Sequence, residues 1–286
     1  MGLAVVMNKH AWISLLTVLF AASLVTACAS TNKNAKALLN PDPPGKMYAT
    51  GDSYLNRGKF QKAAKKFEAL DRDHPYAPEA RRAMVMAAYA YFRAGKYPEA
   101  IATARRYTTL HPGTKEAPFA HHIIASCYFE EMNGPQNDQA GTLKALNELR
   151  TLKARYPESK YAKKADNRIR IAMDSLAARE MSVGRYYLKR RNYLASINRF
   201  KKVVSDYATT NQVEEALMRL TEAYLALGIV NEAQTAAAVL GHNYPQSRWY
   251  KDAYVLLQSG GVAPREDTGS WLSRTWNSMK VPTVKL

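Results

Sequence analysis

Cysteine is almost absent from this 286-residue chain, occurring only at Cys28 and Cys127. No Cys pair stands at metal-ligand or redox spacing, and no glycine-rich phosphate loop or nucleophile elbow occurs. Histidine is scarce too, with six in all. His121 and His122 are neighbours, so on a helix they point about 100° apart and share a metal ion poorly. His10 lies in the opening apolar segment, and His242 has no His or Cys at ligand spacing. Carboxylates are scattered and outnumbered, 24 against 41 Lys and Arg. These absences argue against an enzyme, a metal centre and a bound cofactor.

Acidic residues are missing from the first 27 positions, where Lys9 is the sole charge. Behind it, Ala11 to Ala27 is apolar apart from Ser and Thr. A short apolar core after a positive start, ending in small residues, reads as a secretory signal rather than a spanning helix. Met1 or Met7 serves equally as its first residue. The closing Leu24-Val25-Thr26-Ala27-Cys28 resembles a bacterial lipoprotein signal, which implies cleavage before Cys28 and acylation of its thiol. Three acyl chains, at about 0.8 kcal/mol per buried methylene, would anchor the chain to a membrane. Ala29, where an Asp would favour inner-membrane retention, points to the outer membrane. With Cys28 lipidated, Cys127 has no disulfide partner and is expected to be a small buried hydrophobe. Thr31 to Gly45 reads as a tether.

The formal net charge is +17, or +16 once the segment bearing Lys9 is removed. Basic clusters include Lys62-Lys65-Lys66, Lys160-Lys163-Lys164-Arg168-Arg170 and Lys189-Arg190-Arg191. Export removes most of the argument for nucleic acid. The clusters are either solvated helix faces near anionic headgroups or docking sites for acidic proteins.

A spacing rule organises the rest. Gly51, Tyr54, Ala63 and Pro75 recur as Ala88, Tyr91, Ala100, Pro112; Ala125, Tyr128, Ala145, Pro157; Gly184, Tyr187, Ser196, Ala208; and Thr221, Tyr224, Ala233, Pro245. The last step is always twelve residues, and the Tyr is constant. Tyr128 to Ala145 is seventeen instead of nine, the excess falling on the polar run Asn133 to Asp138, a lengthened loop. Pro157 to Tyr187 is thirty instead of sixteen. The excess of fourteen is close to four helical turns, so the fourth repeat's first helix is extended or doubled.

These offsets resemble the tetratricopeptide repeat. The resemblance implies an all-α tetratricopeptide-repeat solenoid of five helix hairpins. Small residues such as Gly51 and Ala63 let paired helices approach, Tyr54 and Phe67 fill the space between one pair and the next, Gly58, Gly95 and Gly228 end first helices, and each Pro ends a second helix. His74 and His111 precede the repeat Pro where other copies carry Tyr156, Tyr207 and Tyr244, so they are structural substitutes for a ring. The domain reading is a signal peptide over 1–27, a lipidated tether over 28–45, the solenoid over 46–258 and a tail over 259–286. In the tail, Trp271, Leu272, Thr275, Trp276 and Met279 share one helical stripe that suits a partner groove, a membrane interface, or a cap folded on the last repeat.

Lipobox, five repeats, long third loop and extended fourth repeat together resemble the BamD family, the lipoproteins of the outer-membrane β-barrel assembly machinery. The most specific stretch is Leu176 to Val204, where Ser182-Val183-Gly184-Arg185-Tyr186-Tyr187-Leu188-Lys189-Arg190 leads into Ala195-Ser196-Ile197-Asn198-Arg199. The resemblance implies a periplasm-facing scaffold, lipid-anchored in the outer membrane, working with a barrel-forming subunit and accessory lipoproteins. It also implies that Asn198 and Arg199 dock the barrel-forming subunit and that the N-terminal half binds unfolded outer-membrane proteins by aromatic C-termini. First-helix positions on the concave side select Tyr48 and Asp52, then Val85, Tyr89, Phe92 and Arg93, then His122, Ser126, Phe129 and Glu130. The aromatics gather in these three repeats, and Arg82 or Arg93 is the expected partner of a terminal carboxylate. Two other classes remain: a repeat lipoprotein serving another envelope machine, such as a secretin pilotin or a peptidoglycan coordinator, and a basic module for nucleic-acid uptake.

Overall fold

A computed structural model describes residues 42–279, which form thirteen helices and no strands. The signal peptide, Cys28 and most of the tether lie outside the described residues. The helices are α1 (Pro44–Asn56), α2 (Phe60–Asp73), α3 (Pro78–Arg93), α4 (Tyr97–Leu110), α5 (Ala117–Glu130), α6 (Ala140–Arg155), α7 (Lys160–Lys163), α8 (Ala165–Lys189), α9 (Tyr193–Asp206), α10 (Val213–Ala226), α11 (Val230–Asn243), α12 (Arg248–Ser259) and α13 (Trp271–Ser278). They divide into two compact units, the first ending at Ala90 and the second beginning at Tyr91, within α3.

The turn inside each hairpin shows why the repeat is regular. Gly58, Gly95 and Gly228 have φ of 70°, 70° and 74°. That left-handed residue swings the next amide back over the helix end: Lys59, Lys96 and Ile229 donate to the carbonyls of Tyr54, Tyr91 and Tyr224 at 2.8–2.9 Å. The fourth repeat makes the same bond, from Asn192 to Tyr187 at 3.0 Å, with Arg191 in the glycine's place at φ 58°. The third repeat has no such turn. Its first helix instead runs into the long loop, whose Gln136 exchanges hydrogen bonds with Ser182 on α8.

Second helices end as the proline positions require. His74, His111, Tyr156 and Tyr244 all have φ near −135° and ψ of 51–60°, outside the helical region that a following proline disfavours. Tyr156 uses its ring beyond this role, its hydroxyl donating to the Pro112 carbonyl at 2.8 Å.

Within hairpins, close approach depends on matched volumes. Phe67 lies over Gly51, where a Cβ would meet its ring at 2.6 Å, and Phe200 lies over Gly184, where the distance would be 2.4 Å. Phe67 thus fills the space inside its own pair as well as touching Tyr48, at 5.4 Å between ring centroids. The residue four beyond the second small mark is Phe67, Ala104, Leu149, Phe200 or Ala237, and glycine faces it only where it is Phe.

In the second unit, the excess between Pro157 and Tyr187 resolves into the short α7 and the 25-residue α8, so the fourth repeat's first helix is extended. The core is continuous from Leu176 and Met181 through Phe200, Leu217 and Leu240 to Leu272 and Trp276. The tail is a cap. Ser270 caps α13 and donates to Glu232 at 2.6 Å, Trp271 Nε1 donates to the Tyr224 hydroxyl at 3.0 Å, and Trp276 packs edge-on to Tyr244. No described helix is long and apolar enough to cross a membrane.

Candidate functional site

The sequence-selected residues fall into three main places, one in the first unit and two in the second, with Phe92 and Arg93 apart from all of them. In the first unit, Tyr48 and Asp52 stand one turn apart on α1. Arg82 on α3 sets its guanidinium 5.3 Å from the centre of the Tyr48 ring, which also tilts against Phe67. The Tyr48 hydroxyl is buried without a hydrogen-bond partner, and burial, with the Asp52 charge, holds its pKa above the usual phenol value. Tyr89 is half-buried on α3, and Arg82 is exposed. The first unit therefore brings a ring, a cation and a carboxylate to one face.

In the second unit, Phe92 meets Tyr97 across the α3–α4 turn at 6.1 Å, and Arg93 is exposed. His122 and Phe129 belong to a different cluster. Phe119, His122, Ser126 and Phe129 lie at three- and four-residue spacing on α5 and so form one stripe. Tyr161, on α7, stacks on Phe119 at 5.2 Å and on His122 at 4.9 Å, with Lys160 Nζ 5.2 Å from the centre of its ring. Arg168, in the first turn of α8, lies 5.1 Å from the centre of the Phe129 ring and donates from Nη1 to the buried Ser126 hydroxyl at 2.7 Å. Burial, and after it Arg168 and Lys164, pushes the His122 pKa down to about 4, so its ring is neutral at pH 7. Among the described residues no carboxylate lies within 4.0 Å of Lys160, Lys164 or Arg168.

Fixed offsets on first helices find His122 and Phe129 but miss Phe119, Tyr161 and Arg168. Tyr161 and Arg168 lie in the insertion after Pro157. The signal that could have found them is the basic run Lys160 to Arg170 with a Tyr inside it.

The third place holds Asn198 and Arg199, on α9. Asn198 is exposed and, with Tyr187, Ala195 and Arg199, lines a shallow hollow of about 230 Å³. Arg199 Nη1 donates to Glu180 of α8 at 3.1 Å, and Lys202 Nζ donates to the other Glu180 oxygen at 2.7 Å. The Glu180 side chain is 12% exposed and that of Arg199 43%. Its hydrogen bond to Glu180 holds the Lys202 pKa above the usual lysine value. A second hollow, about 270 Å³, is lined by Glu180 and Lys202 of this triad together with the long loop, Leu143, Arg179 and Tyr207. Tyr186 and Leu194, 51% and 67% exposed, flank the nearby α8–α9 turn.

The equivalent face of the last two repeats carries paired ions rather than rings. Arg185 bonds Glu215 at 2.9 Å, and Arg219 bonds both Glu215 and Glu222. Cys127 is buried, and burial first, then Glu131, pushes its thiol up to about 12, so it is held in the protonated form at pH 7. Among the described residues no three His, Cys, Asp or Glu side chains converge as a metal site would need.

Residues 41–240 match the family model described as YfiO, outer membrane lipoprotein. An outer membrane protein assembly factor BamD from Caulobacter vibrioides is 42% identical over 252 residues, spanning 88% of this chain and 82% of that one. The protein of the same name from Rickettsia prowazekii is 34% identical over 86% of this chain and 97% of its own length. A third, from Neisseria meningitidis serogroup A, is 32% identical over 73% and 82%. A solved tetratricopeptide repeat protein from Parabacteroides merdae covers 76% of this chain at 18% identity with a TM-score of 0.34. With the family model spanning well over half the chain and these three BamD proteins above 30% identity across most of it, the chain belongs to this outer membrane lipoprotein family.

Proposed function

We propose that this protein is a scaffold of outer-membrane β-barrel assembly, anchored by lipid on Cys28 and facing the periplasm. In this reading its first-helix faces bind the aromatic C-termini of unfolded outer-membrane proteins, and the α8–α9 surface docks the barrel-forming subunit. Family membership supports the role in assembly. The observation that carries the docking surface is the Glu180 triad. A nearly buried carboxylate holds Arg199 through one guanidinium nitrogen, and Arg199 with the exposed Asn198 lines a hollow. A guanidinium oriented in this way is prepared to grip a partner carboxylate in two parallel bonds.

Arg199→Gln tests it with little risk to the fold, because Lys202 still neutralises Glu180. Co-purification of the barrel-forming subunit from membranes should fall sharply, and unchanged recovery would remove Arg199 from the interface. For the anchor, Cys28→Ser should release the protein into the soluble periplasm. An unmodified Cys28 in the mass spectrum of the wild-type N-terminus would refute lipidation.

A further inference from the structure

We propose that Arg168 is the receptor for the free α-carboxylate of a bound chain end, with the Phe119–Tyr161–His122 stack and Phe129 as the adjacent surface for its terminal aromatic side chain. The proposal rests on the peptide-binding reading above and moves its anionic subsite away from Arg82 and Arg93. Three observations carry it.

The first is the state of the guanidinium. Arg168 is half-buried against Phe129 and spends one of its five N–H donors on a neutral hydroxyl, that of Ser126. A partly desolvated cation whose one hydrogen-bond partner among the described residues is neutral gains more from an arriving anion than an exposed cation does. Arg82, by contrast, is exposed.

The second is the absence of competition. Glu180, Glu215 and Glu222 each hold basic side chains elsewhere on α8 to α10, so cations there are already matched. Lys160 and Lys164 stand near Arg168, the histidine beside them is neutral at pH 7, and Asp166, two residues from Arg168, is already paired with Lys153. The local field is positive, which suits one anionic group and opposes a second cation.

The third is shape. Tyr161 spans Phe119 and His122, Arg168 spans Ser126 and Phe129, and all four α5 residues lie on one stripe. An anion-binding fork therefore adjoins a wall of half-exposed rings. The ligand this fits is an aromatic residue carrying its own carboxylate, the last residue of a polypeptide, rather than a phosphate with no ring attached.

The test uses the full-length chain and a short fluorescein-labelled peptide ending in Phe, made as the free acid and as the carboxamide, with binding followed by anisotropy. The wild type should bind the acid about tenfold or more tightly than the amide, the size expected of one charge-assisted pair. Arg168→Gln should erase that difference by weakening the acid alone, and Arg168→Lys should restore part of it. Equal binding of acid and amide by the wild type overturns the proposal and leaves peptide binding intact. Arg168→Gln weakening both peptides equally also overturns it, since the residue would then act through structure. If the wild type binds neither peptide, the peptide-binding reading itself fails and takes this one with it.

Discussion

Gly184→Ala is the sharpest test of how the hairpins are packed. A Cβ added to Gly184 would lie 2.4 Å from Phe200 Cε1 and 2.8 Å from Cζ, whereas ordinary contact begins at 3.4 Å. The ring would have to withdraw by about 1 Å, and Phe200 is fully buried in the core. Overpacking of this kind costs about 1–3 kcal/mol. Replacing a helix-interior glycine by alanine recovers about 1 kcal/mol of helix propensity. The net expectation is a loss of up to about 2 kcal/mol, read as a fall in Tm of about 2–4 °C per kcal/mol for a chain of this size. Gly45→Ala is the control, because its Cβ meets nothing within 4 Å and only the propensity gain should show. The double variant Gly184→Ala, Phe200→Leu should be more stable than the sum of its parts by about 1 kcal/mol or more, since the smaller side chain makes room for the methyl group. A Tm for Gly184→Ala that rises as it does for Gly45→Ala, with no coupling in the double variant, would refute volume matching as the reason for glycine at this mark.

Arg191 holds the left-handed turn position that glycine fills in three other repeats, so Arg191→Gly should raise stability by about 0.5–1 kcal/mol in thermal unfolding, the order of strain that an L side chain stores there. No change or a loss would mean that the Arg191 side chain contributes more than its backbone costs. For His122 the folded pKa lies near 4, below the ordinary 6.5, so the unfolded chain takes the proton first. The neutral ring's contribution is complete above about pH 6.5 and is lost as pH falls towards 4, on the order of 2–3 kcal/mol. His122→Phe, which keeps a ring against Tyr161, should flatten stability against pH in that interval, and an unchanged acid limb would refute the assignment.

What the sequence made legible was whatever repeats. Five Tyr in register mark the helix ends because each hairpin must reverse at the same place, and four of the five Tyr carbonyls accept the bond that closes the turn. The four prolines are legible because each imposes the same non-helical backbone on the residue before it. The left-handed Arg191 was hidden, since its residue type gives no sign of positive φ. The stripe of Trp271, Leu272 and Trp276 announced an apolar face without saying what covers it. That depended on Tyr224 and Glu232 presenting a hydroxyl and a carboxylate to the tail.

Two of the candidate residues that stayed hidden, Tyr161 and Arg168, share one cause, the insertion after Pro157. Treated as spacing, its fourteen residues only lengthen a helix. As structure, they place Tyr161 and Arg168 against α5 at one end of α8 and Glu180 beneath Arg199 further along it. Arg168 and Ser126 are 42 residues apart in sequence and Glu180 and Arg199 are 19 apart, so no local pattern links either pair. Arg168 and Glu180 are themselves separated by twelve residues of a single uninterrupted helix, about 18 Å at 1.5 Å per residue. The proposed carboxylate receptor and the residue that orients the docking arginine are therefore held at a fixed spacing by α8. A translation of α8 along its own axis would carry Glu180 and Arg168 together, because both stand on the same helix.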